Sequence, residues 1–271
     1  MKLENRIQHF YPQFTKSERR IADAILQFTD VNHAGTIQAL AHQIGVSPSS
    51  ISRFAHKLEY DSFQSLRFAI QHEFQNIVIE NAPAIQIMHQ HYTSMLNHTG
   101  EFLVQADLIA LVEAIEQSQK IIFIGIGSSG LSAQEFYFRT VRMGFNTVAI
   151  TDAHLMAVIG QMCNKQTAVI AITNSGQTTE ILDSLAQAKR GGAKILTLSH
   201  YKTAALESMS DHIILTADRH YTHDHYFINS QLATHFIIDM VSYHLLQDRR
   251  RLQNYTESYD TLVAKRKQPQ P

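Results

Sequence analysis

The period of the hydrophobic pattern changes once along this 271-residue chain, and that change limits the possible folds more than any other feature. Through about residue 76, apolar side chains recur at i, i+3, i+4 and i+7, the spacing of one buried helix face, with no strand-like alternation. From residue 107 onward, short apolar runs (KIIFI, NTVAI, TAVIAI, KILTL, HIIL) alternate with helical stretches. That is the pattern of a doubly wound, five-stranded parallel sheet flanked by helices. The expected organisation is an all-α N-terminal domain over 1–76, a helical connector over 77–106, an α/β domain over 107–248 and a solvated tail over 249–271.

The formal net charge is −1, so no global basicity announces a nucleic-acid partner and local placement has to decide. The single cysteine, Cys163, has no intramolecular disulfide partner, and its neighbours carry no activating pattern; a buried, inert thiol is expected. No apolar run approaches the roughly 18 residues that span a bilayer, and MKLENRIQHF has no signal-peptide core. A cytoplasmic protein without a membrane partner is expected.

In the N-terminal segment Thr15-x-x-Glu18 forms a capping box, followed by the stripe Ile21, Ala24, Ile25 and Phe28. A second stripe, Ile37, Leu40, Ala41 and Ile44, stops at Gly45, a residue suited to the left-handed turn that ends many helices. In GVSPSSISRFAHKL, Ser47 is a natural N-cap, Pro48 takes the first helical position, and Val46 with Ile51 makes a hydrophobic staple. Two helices joined through Gly45-Val46-Ser47 have the sharp crossing of a helix-turn-helix. The second buries Ile51, Phe54, Ala55 and Leu58, leaving Ser49, Ser50, Ser52, Arg53, His56 and Lys57 on its free face. Short hydroxyls followed by cations suit a recognition helix, since an Arg can take guanine in bidentate fashion and a Lys can neutralise phosphate. The DNA-binding residues expected are therefore Ser49, Ser50, Ser52, Arg53 and Lys57, with Lys16, Arg19 and Arg20 supplying backbone contacts. Residues 1–80 carry equal numbers of basic and acidic side chains, so the attraction has to come from clustering and should be salt-sensitive.

In the α/β segment, ligands are expected just after each apolar run. After KIIFI comes Gly125-Ile-Gly127-Ser128-Ser129-Gly130, a letter-for-letter G-x-G-x-x-G, and an acid, Asp152, follows the next run. Taken alone, this reads as a dinucleotide fingerprint. After TAVIAI, however, comes a second hydroxyl-rich loop, Thr173-Asn174-Ser175-Gly176-Gln177-Thr178-Thr179-Glu180, which a dinucleotide fold does not need. Both loops lead into helices, whose free N–H groups and partial positive charge can cradle an anion.

That pair of loops resembles the sugar isomerase (SIS) domain. The usual Gly-x-Gly-x-Ser of its first loop is matched by Gly125, Gly127 and Ser129. The Ser-x-Ser-Gly-x-Thr-x-Glu of its second is matched through Glu180, with Thr173 in place of the first Ser. With the helix-turn-helix, the whole chain resembles an RpiR-type transcriptional regulator, in which a sugar phosphate on the SIS domain alters DNA binding. The resemblance implies a double-stranded DNA operator and a phosphorylated sugar as partners, a homodimer or higher homo-oligomer, and no cofactor. The sugar phosphate is expected at Gly127, Ser128, Ser129, Thr173, Ser175, Gln177, Thr178 and Glu180, with His223 beside it. One departure stands out: where the family usually has Lys-Leu-Gly before an aromatic residue, this chain has Lys57-Leu58-Glu59-Tyr60. A left-handed turn there would cost Glu59 what Gly avoids.

Other constellations weigh less. His220, His223, Asp224 and His225 sit in a loop without fixed metal geometry, and no metal is expected. Asp152 and His154 follow a strand and could bind sugar hydroxyls, though Asp152 also suits an ordinary helix cap. Glu180 raises the alternative of a sugar-phosphate isomerase or lyase with an accessory helical domain, since carboxylates move protons in such sites; an attached DNA reader favours sensing over turnover. Ile228, Leu232, Phe236 and Met240 repeat every four residues, with Val241 and Leu245 beside them, as a core stripe.

Overall fold

The computed structural model describes residues 3–26, 35–74, 83–222 and 226–267. They divide into two compact units, residues 1–98 with 217–229, and residues 99–216 with 230–271.

The first unit contains α1 (Leu3–Phe10), α2 (Lys16–Leu26), α3 (Ile37–Ile44), α4 (Pro48–Lys57), α5 (Phe63–Phe74) and most of α6 (Ala84–Phe102). Its core is the set that the helical stripes mark: Ile21, Ile25, Leu40, Ala41, Ile44, Ile51, Phe54, Ala55 and Leu58, joined by Leu3, Ile7, Phe14, Leu66 and Ile70. Each fully buried large apolar side chain contributes about 1.5–3 kcal/mol, enough to outweigh the polar and β-branched residues that make α4 a poor helix in isolation. Phe28 lies outside the described residues.

The caps form as the sequence predicts. Thr15 N–H donates to Glu18 Oε2 at 2.7 Å, and Glu18 N–H to Thr15 Oγ1 at 3.3 Å. Ser47 accepts the Ser50 amide at 3.2 Å ahead of Pro48. α3 ends at Gly45 with φ 73°, where Val46 N–H reaches back to Ala41 O at 2.9 Å. α4 ends in the same way one motif later: Tyr60 N–H donates to Ala55 O at 3.0 Å, Glu59 N–H donates to His56 O at 2.9 Å, and Glu59 has φ 62°. Glu59 is the one non-glycine with positive φ among the described residues.

The second unit is a five-stranded parallel sheet of β1 (Lys120–Ile124), β2 (Thr147–Ile150), β3 (Thr167–Ile172), β4 (Lys194–Ser199) and β5 (His212–Leu215), in the order β2-β1-β3-β4-β5. These are the five apolar runs. Alternation sends Ile121, Phe123, Ile170, Leu196 and Leu198 into one core with α7 (Gln105–Gln117), α8 (Ser128–Arg142) and α12 (Leu232–Leu245). Ile122, Ile124, Val169, Ala171 and Ile195 enter the other with α9 (Ala153–Met156), α10 (Thr179–Arg190) and α11 (Ala204–Met209). Both faces of the sheet are covered, which is why the runs are continuously apolar.

Two expectations change. The buried stripe of α12 is Ala233, Ile237, Val241 and Leu245 with Ile238, while Ile228 precedes the helix and is exposed. A helix with apolar residues on more than one side carries more than one candidate face, and packing on the sheet chooses between them. The tail is also more than solvated chain, because α13 (Arg249–Lys267) caps α8. Asn254 Nδ2 and Arg251 Nη1 donate to Met143 O at 3.1 and 3.3 Å, and the Arg251 guanidinium lies 3.7 Å from the Phe145 ring centroid.

Candidate functional site

Two sites follow from this architecture, one in each unit. In the helical unit, Ser49, Ser52, Arg53 and His56 lie at i, i+3, i+4 and i+7 of α4, on one face opposite Ile51, Phe54 and Ala55. Ser49, Arg53 and His56 are exposed, and the Arg53 Nε donates to Ser49 O at 3.3 Å. Ser47 Oγ sits 2.8 Å from both Ser49 Oγ and Ser50 Oγ, so the hydroxyls at the start of α4 share one network. Lys16 is exposed at the start of α2.

The other predicted cations are tied internally. Lys57 Nζ donates to Gln13 O at 2.7 Å and to Glu18 Oε2 at 2.8 Å, above the Phe14 ring. Arg20 Nη2 donates to Ile44 O at 2.8 Å, closing the C-terminus of α3, and the Arg19 guanidinium lies over Tyr11. Arg6 Nη1 does for α4 what Arg20 does for α3, donating to Leu58 O at 2.8 Å and to Glu59 O at 3.0 Å. Exposed carbonyls at a helix end attract guanidinium donors; the partners are distant in sequence, which hides the pairing from local patterns.

In the α/β unit, strand order reverses between β1 and β3. The chain leaves β1 outward to β2 and returns past β1 to β3, so the loops after β1 and β3 end side by side. A cavity of about 250 Å³ opens there. Its lining takes Ser128 and Ser129 from the first loop and Thr173, Ser175 and Thr178 from the second. Ile126, Ile172 and Ile181 supply apolar wall, and Asn174 and Ser230 complete it. α8 begins at Ser128 and α10 at Thr179, so the unpaired first-turn amides of both helices belong to these loops.

The fingerprint glycines have a packing role. A Cβ on Gly125 would fall 2.5 Å from Ser129 O, and one on Gly130 would fall 2.9 Å from Gly125 O. Strand and helix therefore touch backbone to backbone at this turn, while Gly127 between them has φ 60°. Asp152, the acid that a dinucleotide reading needs, accepts the Leu155 amide at 3.0 Å and caps α9.

Of the remaining predicted ligand residues, Gly127, Gln177 and Glu180 are exposed and absent from the cavity lining, and His223 lies outside the described residues, as do Asp224 and His225. The Gln177 amide donates to Ser175 Oγ at 3.2 Å, which fixes the turn. The Thr173 side-chain oxygen is shielded from solvent and has no hydrogen-bond partner. Among the described residues no group of histidines, cysteines or carboxylates is disposed to hold a metal ion. Cys163 is half-buried, and burial pushes its thiol up in spite of the charge on Lys120.

Asn174 is the polar centre that sequence reading missed. Its Oδ1 accepts Ser129 Oγ at 3.4 Å and Gln231 Nε2 at 3.2 Å, and its Nδ2 donates to Ser230 O at 3.5 Å. Gln231 Oε1 in turn accepts the Ser132 hydroxyl at 2.9 Å. Asn174 stands inside the predicted loop, but Ser230 and Gln231 carry no signal beyond their chemistry.

A helical DNA-reading module joined to a switch-point anion cup defines a class of ligand-responsive regulator, and the comparisons agree. Residues 1–77 match the helix-turn-helix domain of the rpiR family, and residues 114–242 match the SIS domain. The chain belongs to the RpiR-type transcriptional regulators. It is 27% identical over 247 residues to an uncharacterised HTH-type transcriptional regulator of Clostridium perfringens, covering 85% of this chain and 88% of that one. It is 28% identical over 227 residues to the HTH-type regulator YfhH of Escherichia coli, covering 78% and 80%. The fold is shared with the Vibrio vulnificus NanR protein complexed with ManNAc-6P, at TM-score 0.61 and 20% identity over 97% of this chain and 98% of that one. Among the described residues no helix is long and apolar enough to cross a membrane.

Proposed function

We propose that this regulator senses a phosphorylated sugar in the β1/β3 cup and thereby modulates its binding to operators of carbohydrate-metabolism genes in the cytoplasm. The observation that carries the reading is that Ser128, Ser129, Ser175 and Thr178, from two loops 45 or more residues apart, line one cavity at two helix starts. Hydroxyls and helix-start amides are donors matched to a phosphoryl group, and the apolar wall matches the carbon face of a sugar. The NanR complex with ManNAc-6P lends the ligand class support.

DNA is read by the Ser49, Ser52, Arg53 and His56 face, with Ser50 in its hydroxyl network and Lys16 toward the backbone. Lys57 and Arg20 hold the two helices in register for that face. A homodimer would present two such helices to half-sites. The reading is a sensor rather than an isomerase or lyase, because the cup is joined to a helix-turn-helix domain and the relatives are named transcriptional regulators.

The test is a thermal-shift panel of sugar phosphates, free sugars and nucleotides. A ligand at about 100 times its dissociation constant stabilises the fold by about 2.7 kcal/mol. Stabilisation by a sugar phosphate and not by its free sugar is expected; stabilisation by NAD alone would overturn the reading.

A further inference from the structure

Ser129 has one hydroxyl proton, and it is given to Asn174 Oδ1 at 3.4 Å. A phosphoryl dianion accepts hydrogen bonds and does not donate them, so the Ser129 hydroxyl can serve it only by turning that proton away from Asn174. Asn174 also donates to Ser230 O at 3.5 Å. Both contacts are longer than an ordinary hydrogen bond and are therefore weak.

Ser230 stands at a boundary. Residues 230 onward pack with the α/β unit, whereas residues 217–229 pack with residues 1–98. Three residues before Ser230, the Phe227 side chain is buried, 3% exposed, between aromatic partners on α6. Its ring centroid lies 5.2 Å from that of His91 and 6.0 Å from that of Tyr92. Tyr226 and Ile228 on either side are 92% and 78% exposed, whereas Phe227 is buried. Only Ile228 and Asn229 separate Phe227 from Ser230, so the two are joined by a short stretch of chain.

We infer that Phe227–Ser230 is the transmission element of this regulator, with Asn174 as its latch: phosphoryl binding withdraws Ser129 from Asn174, Ser230 shifts, and the Phe227 ring changes its seat on α6. The inference rests on the phosphoryl reading of the cup and adds the route by which occupancy reaches the helical unit.

The experiment is amide hydrogen exchange on the full chain with and without inorganic phosphate, which tests the phosphoryl contact whatever the sugar. In the wild type, phosphate is expected to protect residues 128–130 and 174–178 and to change exchange over 226–230 and 84–98. In Phe227→Leu the loops should still be protected while the response over 84–98 is lost. Asn174→Ala without phosphate should exchange over 226–230 and 84–98 as the phosphate-bound wild type does. An unaltered 84–98 response in Phe227→Leu, or an Asn174→Ala pattern identical to phosphate-free wild type, would overturn the route. Wild-type loops protected with no change over 84–98 would also overturn it while leaving the cup intact. Absence of any loop protection would remove the phosphoryl reading itself.

Discussion

Glu18 Oε2 accepts the Lys57 ammonium at 2.8 Å and the Thr15 amide at 2.7 Å, so one carboxylate oxygen both caps α2 and pins the last residue of α4. Burial alone would raise this carboxyl, but hydrogen bonds from Lys57 and Thr15, with the Lys57 charge, outweigh it and hold Glu18 below the ordinary glutamate value. A depressed folded-state value stabilises the fold above the unfolded pKa, about 4.3, and this contribution is lost as pH falls through the folded value. Glu18→Ala should destabilise the helical unit by about 0.3–1.5 kcal/mol at neutral pH. In urea titrations the gap from wild type should narrow as the pH is taken below that of free glutamate. A gap independent of pH would remove the ionised pair from the account.

The two helix ends of the DNA reader use one geometry with different residues. Gly45 enters the left-handed region freely; Glu59 enters it against its own Cβ, and Arg6 holds the carbonyls around it. Glu59→Gly should therefore stabilise the unit by up to about 1 kcal/mol, the relief of strain less the added entropy of an unfolded glycine. The urea midpoint should rise with an unchanged slope. Gly45→Ala should lower it, since an added Cβ would also lie 3.0 Å from Arg20 Nη2.

Arg53 is exposed on the α4 face, and its replacement touches no core residue. Arg53→Ala should weaken specific operator binding by about 1–3 kcal/mol if its guanidinium reads a guanine. Phosphate protection of the 128–130 and 174–178 loops should be unchanged. Equal losses in DNA binding and in loop protection would contradict a division of labour between the two units.

Ser175 and Thr178 reach the cavity from the second loop. Ser175→Ala and Thr178→Val should each reduce sugar-phosphate affinity by about 1.5–3 kcal/mol, the worth of a hydrogen bond to a charged group. Calorimetry with the phosphorylated and free sugar separates the cases, because only the phosphorylated ligand should lose affinity. Glu180→Gln should leave its affinity near that of wild type.

Legibility followed locality. The Thr15–Glu18 box, the Ser47-Pro48 start and the Gly45 stop each involve residues within a few positions of each other, and all three were readable directly. The roles of Lys57, Arg20 and Arg6 were not. Each of these cations meets an oxygen at least 24 residues away, and a long side chain on a polar face looks equally fit for phosphate or for a carbonyl.

The same division holds at the cup. Hydroxyls at 128, 129, 173, 175 and 178 are readable because each follows an apolar run and stands before a helix or in its first turn. The role of Asn174 as a hub is not legible locally because its partners, Ser129, Ser230 and Gln231, lie 45 to 57 residues away.

From the sequence alone came the two periodicities, the caps, the five strands and the chemistry of the two loops, since all arise from interactions between near neighbours or from alternation along one element. Tertiary structure alone decided that β1 and β3 lie side by side with β2 outside them, which α12 stripe is buried, and that α13 docks on the end of α8. Those choices depend on how whole elements share a core, and a sheet can be ordered in several ways without altering the pattern of any strand within it.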